Sequence, residues 1–257
     1  MVYISSIIII GAITKLGVSK AIPAELAARN PGDSPAEAIR LNIDCSGGPA
    51  VCNEDCYAIL CLGAPNPVMR EEGANREHRS RSGYTIFRMS QAEREARQVF
   101  VTDSTLDLTG RSGEESIMAN TAQGGEGDII FPSQTQENVA IGRAVGVQLD
   151  QLGVSDGKWY LKWFENYGTG APYCDALQAS SGMNHNVCTR DNKPKTDPSW
   201  TAVMRTFVKG ARGIIQFKMM EPSDKWPWAP IKPGGPFGKR EDQTNQEQKV
   251  EEQAEQK

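Results

Sequence analysis

The chain has 257 residues, enough for one large domain or two small ones, and with 39% hydrophobic and 23% charged residues it can bury a core. Its 28 basic and 32 acidic residues give a formal charge of −4, which argues against tight nucleic-acid binding through bulk positive potential. No stretch reaches the roughly 20 apolar residues of a membrane-spanning helix, so we expect no membrane partner.

The first 21 residues resemble a signal peptide. A mostly apolar run from Val2 to Val18 is followed by Ser19-Lys20-Ala21, a small-x-small cleavage pattern. The alternative is a buried strand or helix of the folded domain. We expect a secreted, extracellular protein.

The remaining chain divides by composition into three parts. Residues 22–38 are rich in Pro, Ala and Gly and are predicted to be a linker or pro-segment. Residues 39–221 are predicted to be the folded domain. Residues 222–257 are rich first in Pro and Gly and then in Gln, Glu and Lys, and are predicted to be a disordered tail.

Six cysteines, confined to the middle of the chain, predict a disulfide framework; they are Cys45, Cys52, Cys56, Cys61, Cys174 and Cys188. Sequence alone cannot fix their pairing, but the nearest-neighbour pattern joins Cys174 to Cys188 and pairs the other four among themselves. The alternative is a zinc site, although the spacing lacks the short C-x2-C pair of zinc knuckles.

The first predicted elements follow from periodicity. Alternating apolar residues from Ile39 to Ile43 predict a strand, and residues 52–62 predict a short helix that Gly63 closes. Residues 70–82 have almost no apolar residues, which predicts an exposed loop with His78 facing solvent.

Later elements carry clearer signals. Residues 90–93 fit a capping box that begins a helix, and residues 99–108 are expected to be strand and turn. A glycine-rich turn at 124–127 leads into a buried strand at 128–131. From residue 138 to 152, apolar residues suit one face of a helix; they are Val139, Val145, Leu149 and Leu152.

Residues 158–165 alternate in character, which predicts a strand with an apolar face and a basic, aromatic face. The second face carries Lys158, Tyr160 and Lys162, a weak candidate for contacting phosphates and stacking on bases. A solvated sheet face explains the same pattern.

Two polar pairs are the candidates for chemistry. Glu114 and Glu115 lie just before an apolar stretch, and Glu137 and Asn138 lie where a strand turns into a helix, with Gln148 ten residues further along. Amide oxygens are hard ligands suited to Mg²⁺, and a nearby carboxylate could take a proton from water. Alternatively, Asn138 is an N-cap beside a helix-favouring Glu137, and the two glutamates are solvated surface acids.

Segment 113–149 resembles the secreted deoxyribonucleases of the NucA/NucB family. The family core reads D-E-W-P-M-A, then a Gly-Gly-x-Gly turn, a strand, P-S-D-N, and N-x-x-x-G-x-x-x-G-x-Q-[LM]. The matching residues here need no gap; they are Glu114–Ala119, Gly124–Gly127, Glu137, Asn138, Gly142, Gly146, Gln148 and Leu149. Upstream, residues 43–61 are similar to the cysteine-rich entry segment of fungal members.

The resemblance implies a disulfide-stapled α+β domain with a ββα-metal nuclease core that hydrolyses DNA with one divalent cation, Mg²⁺ or Mn²⁺. By position, Glu114 stands where the family has its Asp general base, with Glu115 beside it as a second catalytic candidate. Asn138 and Gln148 stand at helix positions associated with the metal, and Glu137 replaces the family Asp. DNA is the expected substrate, and the protein is expected to be a monomer.

This chain departs from the family pattern behind the base. The side chain at 114 is one methylene longer, and Ser116-Ile117 stand where the family has an aromatic residue and Pro. A second hypothesis is therefore a catalytically inactive relative that acts as a secreted binding or effector protein. A third is a structural, disulfide-rich extracellular protein.

Overall fold

Two small β-sheets pack with α-helices in the part of the chain that the computed structural model describes, which is residues 30–125, 127–189, 191–192, 203–207 and 215–219. The predicted signal peptide (1–21) and the predicted tail (222–257) lie outside the described residues. No helix in the described ranges has the length and apolar content to span a bilayer.

The elements alternate along the chain. The helices are α1 (Pro49–Tyr57), α2 (Asn75–Ser82), α3 (Gln91–Ala96), α4 (Asp103–Thr109), α5 (Thr135–Gln151) and α6 (Pro172–Leu177). The strands are β1 (Ile39–Asp44), β2 (Val68–Met69), β3 (Ser112–Glu115), β4 (Ile129–Ser133), β5 (Trp159–Glu165), β6 (Val203–Phe207) and β7 (Ile215–Met219). The fold is therefore mixed α and β.

The strands form two separate sheets. One has the order β1-β5-β2, in which β1 runs parallel to β5 and β2 runs antiparallel to it. The other has the order β3-β4-β6-β7 and is antiparallel throughout. Helix α5 follows β4 directly and packs against β1, so it links the two sheets.

The two faces of β4 contact different hydrophobic clusters. Ile129 and Phe131 belong to the main core, which also contains residues of β1, α1, α5, β5 and α6. Ile130 belongs to a second cluster with Phe87 and Leu106. Alternation of side chains along a strand accounts for this division. Burying each side chain of this size stabilises the fold by about 1.5–3 kcal/mol.

Several predicted elements are confirmed. The helix at 52–62 exists as α1 and its continuation, and Gly63 closes it with a φ of +76°. The capping box is present, because Ser90 Oγ accepts from Glu93 N and the Glu93 carboxylate accepts from Ser90 N. The strand predicted at 128–131 is β4, which continues through Pro132 to Ser133, and the helix after it is α5.

Other expectations about local structure are wrong. Residues 75–82 form α2 rather than a loop, and His78 is buried, with its Nδ1 3.0 Å from the Ala119 carbonyl oxygen. Residues 103–109 form α4, which Thr102 caps by accepting from Thr105 N, rather than strand and turn. Both helices are short and mostly polar, so periodicity of apolar residues did not reveal them.

Part of the predicted linker belongs to the folded body. Gly32 is buried, its N–H donates to the Glu37 carbonyl at 2.7 Å, and its carbonyl accepts from Trp159 N at 2.8 Å. Asp33 forms an ion pair with Lys158. The part of the chain that packs against the start of β5 therefore begins no later than Gly32.

Three disulfides staple the domain, but the pairing that we predicted is wrong. Cys174 does not bond to Cys188; the pairs are Cys45–Cys52, Cys56–Cys174 and Cys61–Cys188. Helix α1 and its continuation lie against α6 and the turn after it, so cysteines far apart in sequence meet. No described cysteine is free, and the disulfides indicate an oxidising compartment.

Candidate active site

The site is built on β3, a short strand whose four residues are all buried. Gly113 permits this placement, because a Cβ there would lie 2.1 Å from the Tyr84 carbonyl oxygen. In the ladder with β4, Glu114 lies opposite Phe131 and Glu115 lies opposite Ile130. Opposed residues share a face and neighbours alternate, so the two carboxylates project to opposite faces of the sheet.

Glu114 projects to the face of the main core and is 9% exposed. Burial, and then the negative charge of Asp55, raise the pKa of Glu114 well above its ordinary value, while the Lys162 ammonium acts in the opposite direction. Within the described residues, no donor forms a hydrogen bond with this carboxylate. A carboxylate whose pKa is raised is a stronger base once it is ionised, which suits general-base chemistry.

Glu115 projects to the other face, where α2 lies. Its Oε1 accepts a short hydrogen bond from Ser82 Oγ, and its Oε2 lies 3.7 Å from Arg79 Nε. Burial raises the pKa of Glu115, and the Ser82 hydrogen bond and the Arg79 charge oppose that shift. With both oxygens engaged, Glu115 is better suited to holding α2 and Arg79 in place than to accepting a proton.

Lys162 and Asp55 form a buried ion pair beside Glu114. Lys162 Nζ donates to Asp55 Oδ2 at 2.7 Å and to the Ser116 carbonyl at 2.8 Å. Burial raises the pKa of Asp55, and the Lys162 charge acts against it. The pair joins α1 and β5 to the segment that leaves β3.

The prediction that Lys158, Tyr160 and Lys162 form an exposed, DNA-contacting face is therefore wrong. Tyr160 and Lys162 are buried, because Asp55 and the Ser116 carbonyl satisfy the lysine inside the fold. Lys158 does reach the surface, but Asp33 pairs with it. The opposite face of β5 is only partly covered; there Arg40 lies 4.0 Å from the ring centre of Trp163.

Asp128 is a further buried acid that sequence reasoning missed. Its Oδ1 accepts from Ile117 N at 3.0 Å, which fixes the turn after β3. Burial, and then the charge of Glu115, raise the pKa of Asp128 well above its ordinary value. The available signal was its position between Gly127, which has a φ of +80°, and the apolar residues of β4.

Asp55 was also missed, although its sequence context carries a signal. It lies one residue before Cys56 in a helix with disulfides at Cys52 and Cys56. Two disulfides on one short helix hold that helix in the interior, so polar residues between the cysteines are buried with it.

Asn138 lies in the first turns of α5 and contacts β3. Its Nδ2 donates to Ser112 Oγ and to the Gly113 carbonyl, each at 3.1 Å. These bonds tie α5 to the residue that precedes Glu114. The N-cap of α5 is Gln134, so the expectation of a cap at Asn138 is wrong.

The side chains of Gln148 and Glu137 do not form a common site with the side chain of Asn138. Gln148 lies ten residues along α5, about 15 Å away along the axis, and its Oε1 accepts from Asn42 N at 3.3 Å. Glu137 lies near Gly48, where an added Cβ would be 2.9 Å from the Glu137 carbonyl oxygen. Glu137 Oε2 is buried without a hydrogen bond in the described part of the chain.

The predicted metal ligands do not fit a cation as a set, because Gln148 is engaged with β1 far from Asn138. Across the described residues, no three His, Cys, Asp or Glu side chains are grouped to hold a metal ion. We therefore derive no catalytic step through a metal.

Comparison with family models, with curated proteins and with solved structures gives no match for this chain. The chemistry follows from the residues themselves. Glu114 is a buried carboxylate with a raised pKa, and Arg79 is a guanidinium, 59% exposed, held beside β3 by Glu115. Glu114 offers a proton acceptor for water, and Arg79, on the other face of β3, offers positive charge to an anionic group.

Proposed function

We propose that this protein is a secreted, metal-dependent endodeoxyribonuclease in which Glu114 is the general base. The observation that carries the proposal is the environment of Glu114, which is buried, has a raised pKa and has no hydrogen-bond donor among the described residues. A base that has to accept a proton is best left without a competing donor.

The order of elements supports the proposal. Strands β3 and β4 are antiparallel neighbours, and α5 follows β4, which is the strand-strand-helix order that the resemblance implies. Asn138 ties the helix to β3 at Gly113, next to the proposed base. The helix therefore fixes the position of Glu114 along the strand.

The proposed reaction is hydrolysis of a phosphodiester. Ionised Glu114 takes a proton from water as the water oxygen attacks phosphorus, and the bond from phosphorus to the leaving oxygen breaks. The leaving oxygen takes a proton from solvent.

The resemblance, rather than the donor set of this site, supports the divalent cation. We propose Mg²⁺ or Mn²⁺ as the cofactor and DNA as the substrate of a monomeric enzyme. The disulfides fit a secreted protein, because such bonds persist outside the reducing cytosol.

Cleavage of supercoiled plasmid DNA tests the proposal. The wild-type protein should nick the plasmid with Mg²⁺ or Mn²⁺ and stop when a chelator is added. Glu114→Gln should abolish cleavage, because it keeps the volume and removes the proton acceptor. Glu95→Gln, at an exposed acid on α3, is the matched control and should cleave at the wild-type rate.

Two results would contradict the proposal. Cleavage by Glu114→Gln at the wild-type rate would remove Glu114 from the chemistry. A wild-type protein that binds DNA and never cleaves it would favour the inactive binding protein.

A further inference from the structure

A cleft of about 540 Å³ lies at α2 and the turn that follows it. It is lined by Asn75, Arg76, Arg79, Ser80, Tyr84 and Thr85. Arg79 connects the cleft to the site, because its Nε lies 3.7 Å from Glu115 Oε2. A ligand in this cleft would therefore lie on the Glu115 face of β3, whose other face carries Glu114.

The cleft has an excess of positive charge. Arg76 and Arg79 are three residues apart on α2, so they lie on neighbouring positions of one helix face. Arg76 is exposed and has no carboxylate partner among the described residues, and Arg88, near the cleft, has none either. By contrast Arg81, on the same helix, pairs with Glu77 at 3.5 Å.

An aromatic ring lies among these cations. The guanidinium carbons of Arg79 and Arg88 lie 5.8 Å and 6.0 Å from the ring centre of Tyr84. Unstacked nucleic-acid bases stack on tyrosine rings and on guanidinium planes, whereas phosphates pair with guanidinium groups. The cleft offers both kinds of contact within one small surface.

We propose that this cleft binds a single-stranded segment of nucleic acid, with phosphates on Arg76 and Arg79 and a base against Tyr84. The inference rests on the proposed function for the role of the bound strand as substrate. A single strand is favoured over a duplex because a duplex keeps the faces of its bases stacked inside, where a surface tyrosine cannot stack on them. The protein is acidic overall, so binding depends on this local charge.

Fluorescence anisotropy with a labelled single-stranded oligodeoxynucleotide, in chelator so that no cleavage occurs, tests the proposal. Arg76→Gln and Arg79→Gln should each weaken binding about tenfold and reduce the salt slope of log K by about one. Arg81→Gln is the matched control and should bind as the wild type does. Tyr84→Leu should weaken single-stranded binding about tenfold, and a duplex of the same sequence should bind more weakly than the single strand.

Competitors distinguish a strand site from a simple phosphate site. Inorganic phosphate at the same phosphate concentration should not displace the oligonucleotide, because it lacks a base and a neighbouring phosphate. Wild-type binding by Arg76→Gln and Arg79→Gln, equal binding of duplex and single strand, or displacement by phosphate alone would each overturn the proposal. Thermal melting of every variant checks that it is folded.

Failure of this inference is separable from failure of the enzyme. Cleft-dependent binding without any cleavage would refute the nuclease and leave the binding site standing. Cleavage that Arg76→Gln leaves unchanged, together with unchanged binding, would refute the cleft and leave the nuclease standing.

Discussion

Lys162 Nζ lies 2.7 Å from Asp55 Oδ2, and the side chain of each residue is only 2% exposed. The two residues come from β5 and α1, more than a hundred positions apart, and the lysine also donates to the Ser116 carbonyl at 2.8 Å. The pair brings the cysteine-rich helix, the first sheet and the segment behind the proposed base to one point. Its loss should affect both stability and the site.

Lys162→Met should lower the free energy of unfolding by about 3–5 kcal/mol, because it leaves the buried Asp55 carboxylate without its partner. Urea denaturation measures this loss. Lys158→Met, one residue before β5, is the matched control, and it should cost less than about 1 kcal/mol because the pair with Asp33 is partly exposed. Similar losses of unfolding free energy in the two variants would show that the buried pair stabilises the fold no more than the exposed one.

The stability of the protein should fall as the pH rises above the ordinary carboxyl range. Burial raises the pKa of Glu114 above its ordinary value of 4.5, so over that window the folded protein holds a proton that the unfolded chain has released. The contribution to stability is therefore full below the ordinary pKa and is lost as the pH rises through the raised one. Glu114→Gln should reduce this dependence in urea titrations without removing it, because burial also raises the pKa of Asp55, Glu115 and Asp128; an unchanged slope would contradict the assignment.

Cleavage should show the opposite trend with pH. Glu114 acts as a base only when it is ionised, so the rate should increase as the pH passes through its raised pKa. A rate that fell over the same range would point to a protonated Glu114 as the active form.

Shortening the proposed base should increase activity. Glu114→Asp returns the carboxylate to the length that the resembling family has, and correcting a misplacement of about 1 Å can recover on the order of 100-fold in rate. The plasmid assay gives the rate. Glu115→Asp is the comparison, and it should lower activity because it withdraws the carboxylate from Ser82 and Arg79.

A substitution at Asn138 tests whether this residue binds a metal ion or only holds α5 against β3. Asn138→Ala removes donors to Ser112 and Gly113, which should cost about 1–2 kcal/mol of stability and lower the cleavage rate as β3 loosens. If Asn138 is a tie only, the Mg²⁺ concentration for half-maximal rate should stay constant. A large increase in that concentration would make Asn138 a ligand.

The sequence predicted the helices and strands whose apolar residues face the core. It failed for elements whose position depends on polar contacts. Helix α5 was predicted from apolar spacing, and Val145 and Leu149 of the predicted face are buried, whereas Val139 and Leu152 are exposed. Helix α2 buries only His78 and Ser82, so it was mistaken for a loop. For β5 the buried face was inverted, because nothing near Lys162 in sequence indicates that Asp55 would satisfy it.

The residues of the candidate site also fall into those that the sequence revealed and those that it did not. Glu114 and Glu115 were found from a local motif, and both lie on one short strand. Asp55, Arg79 and Asp128 were missed, because their proximity to β3 depends on long-range packing that no local pattern reports.

The disulfide pattern has a consequence for how the chain matures. Cys45 and Cys52 are seven residues apart and can join soon after both have entered an oxidising compartment. Cys56 and Cys61 must remain as thiols until partners 118 and 127 residues further along arrive. The two late bonds enclose β3, β4 and α5, so the elements that carry Glu114 enter the compartment before the domain can be locked. A disulfide isomerase that prevents early pairing of Cys56 with Cys61 would therefore favour correct maturation.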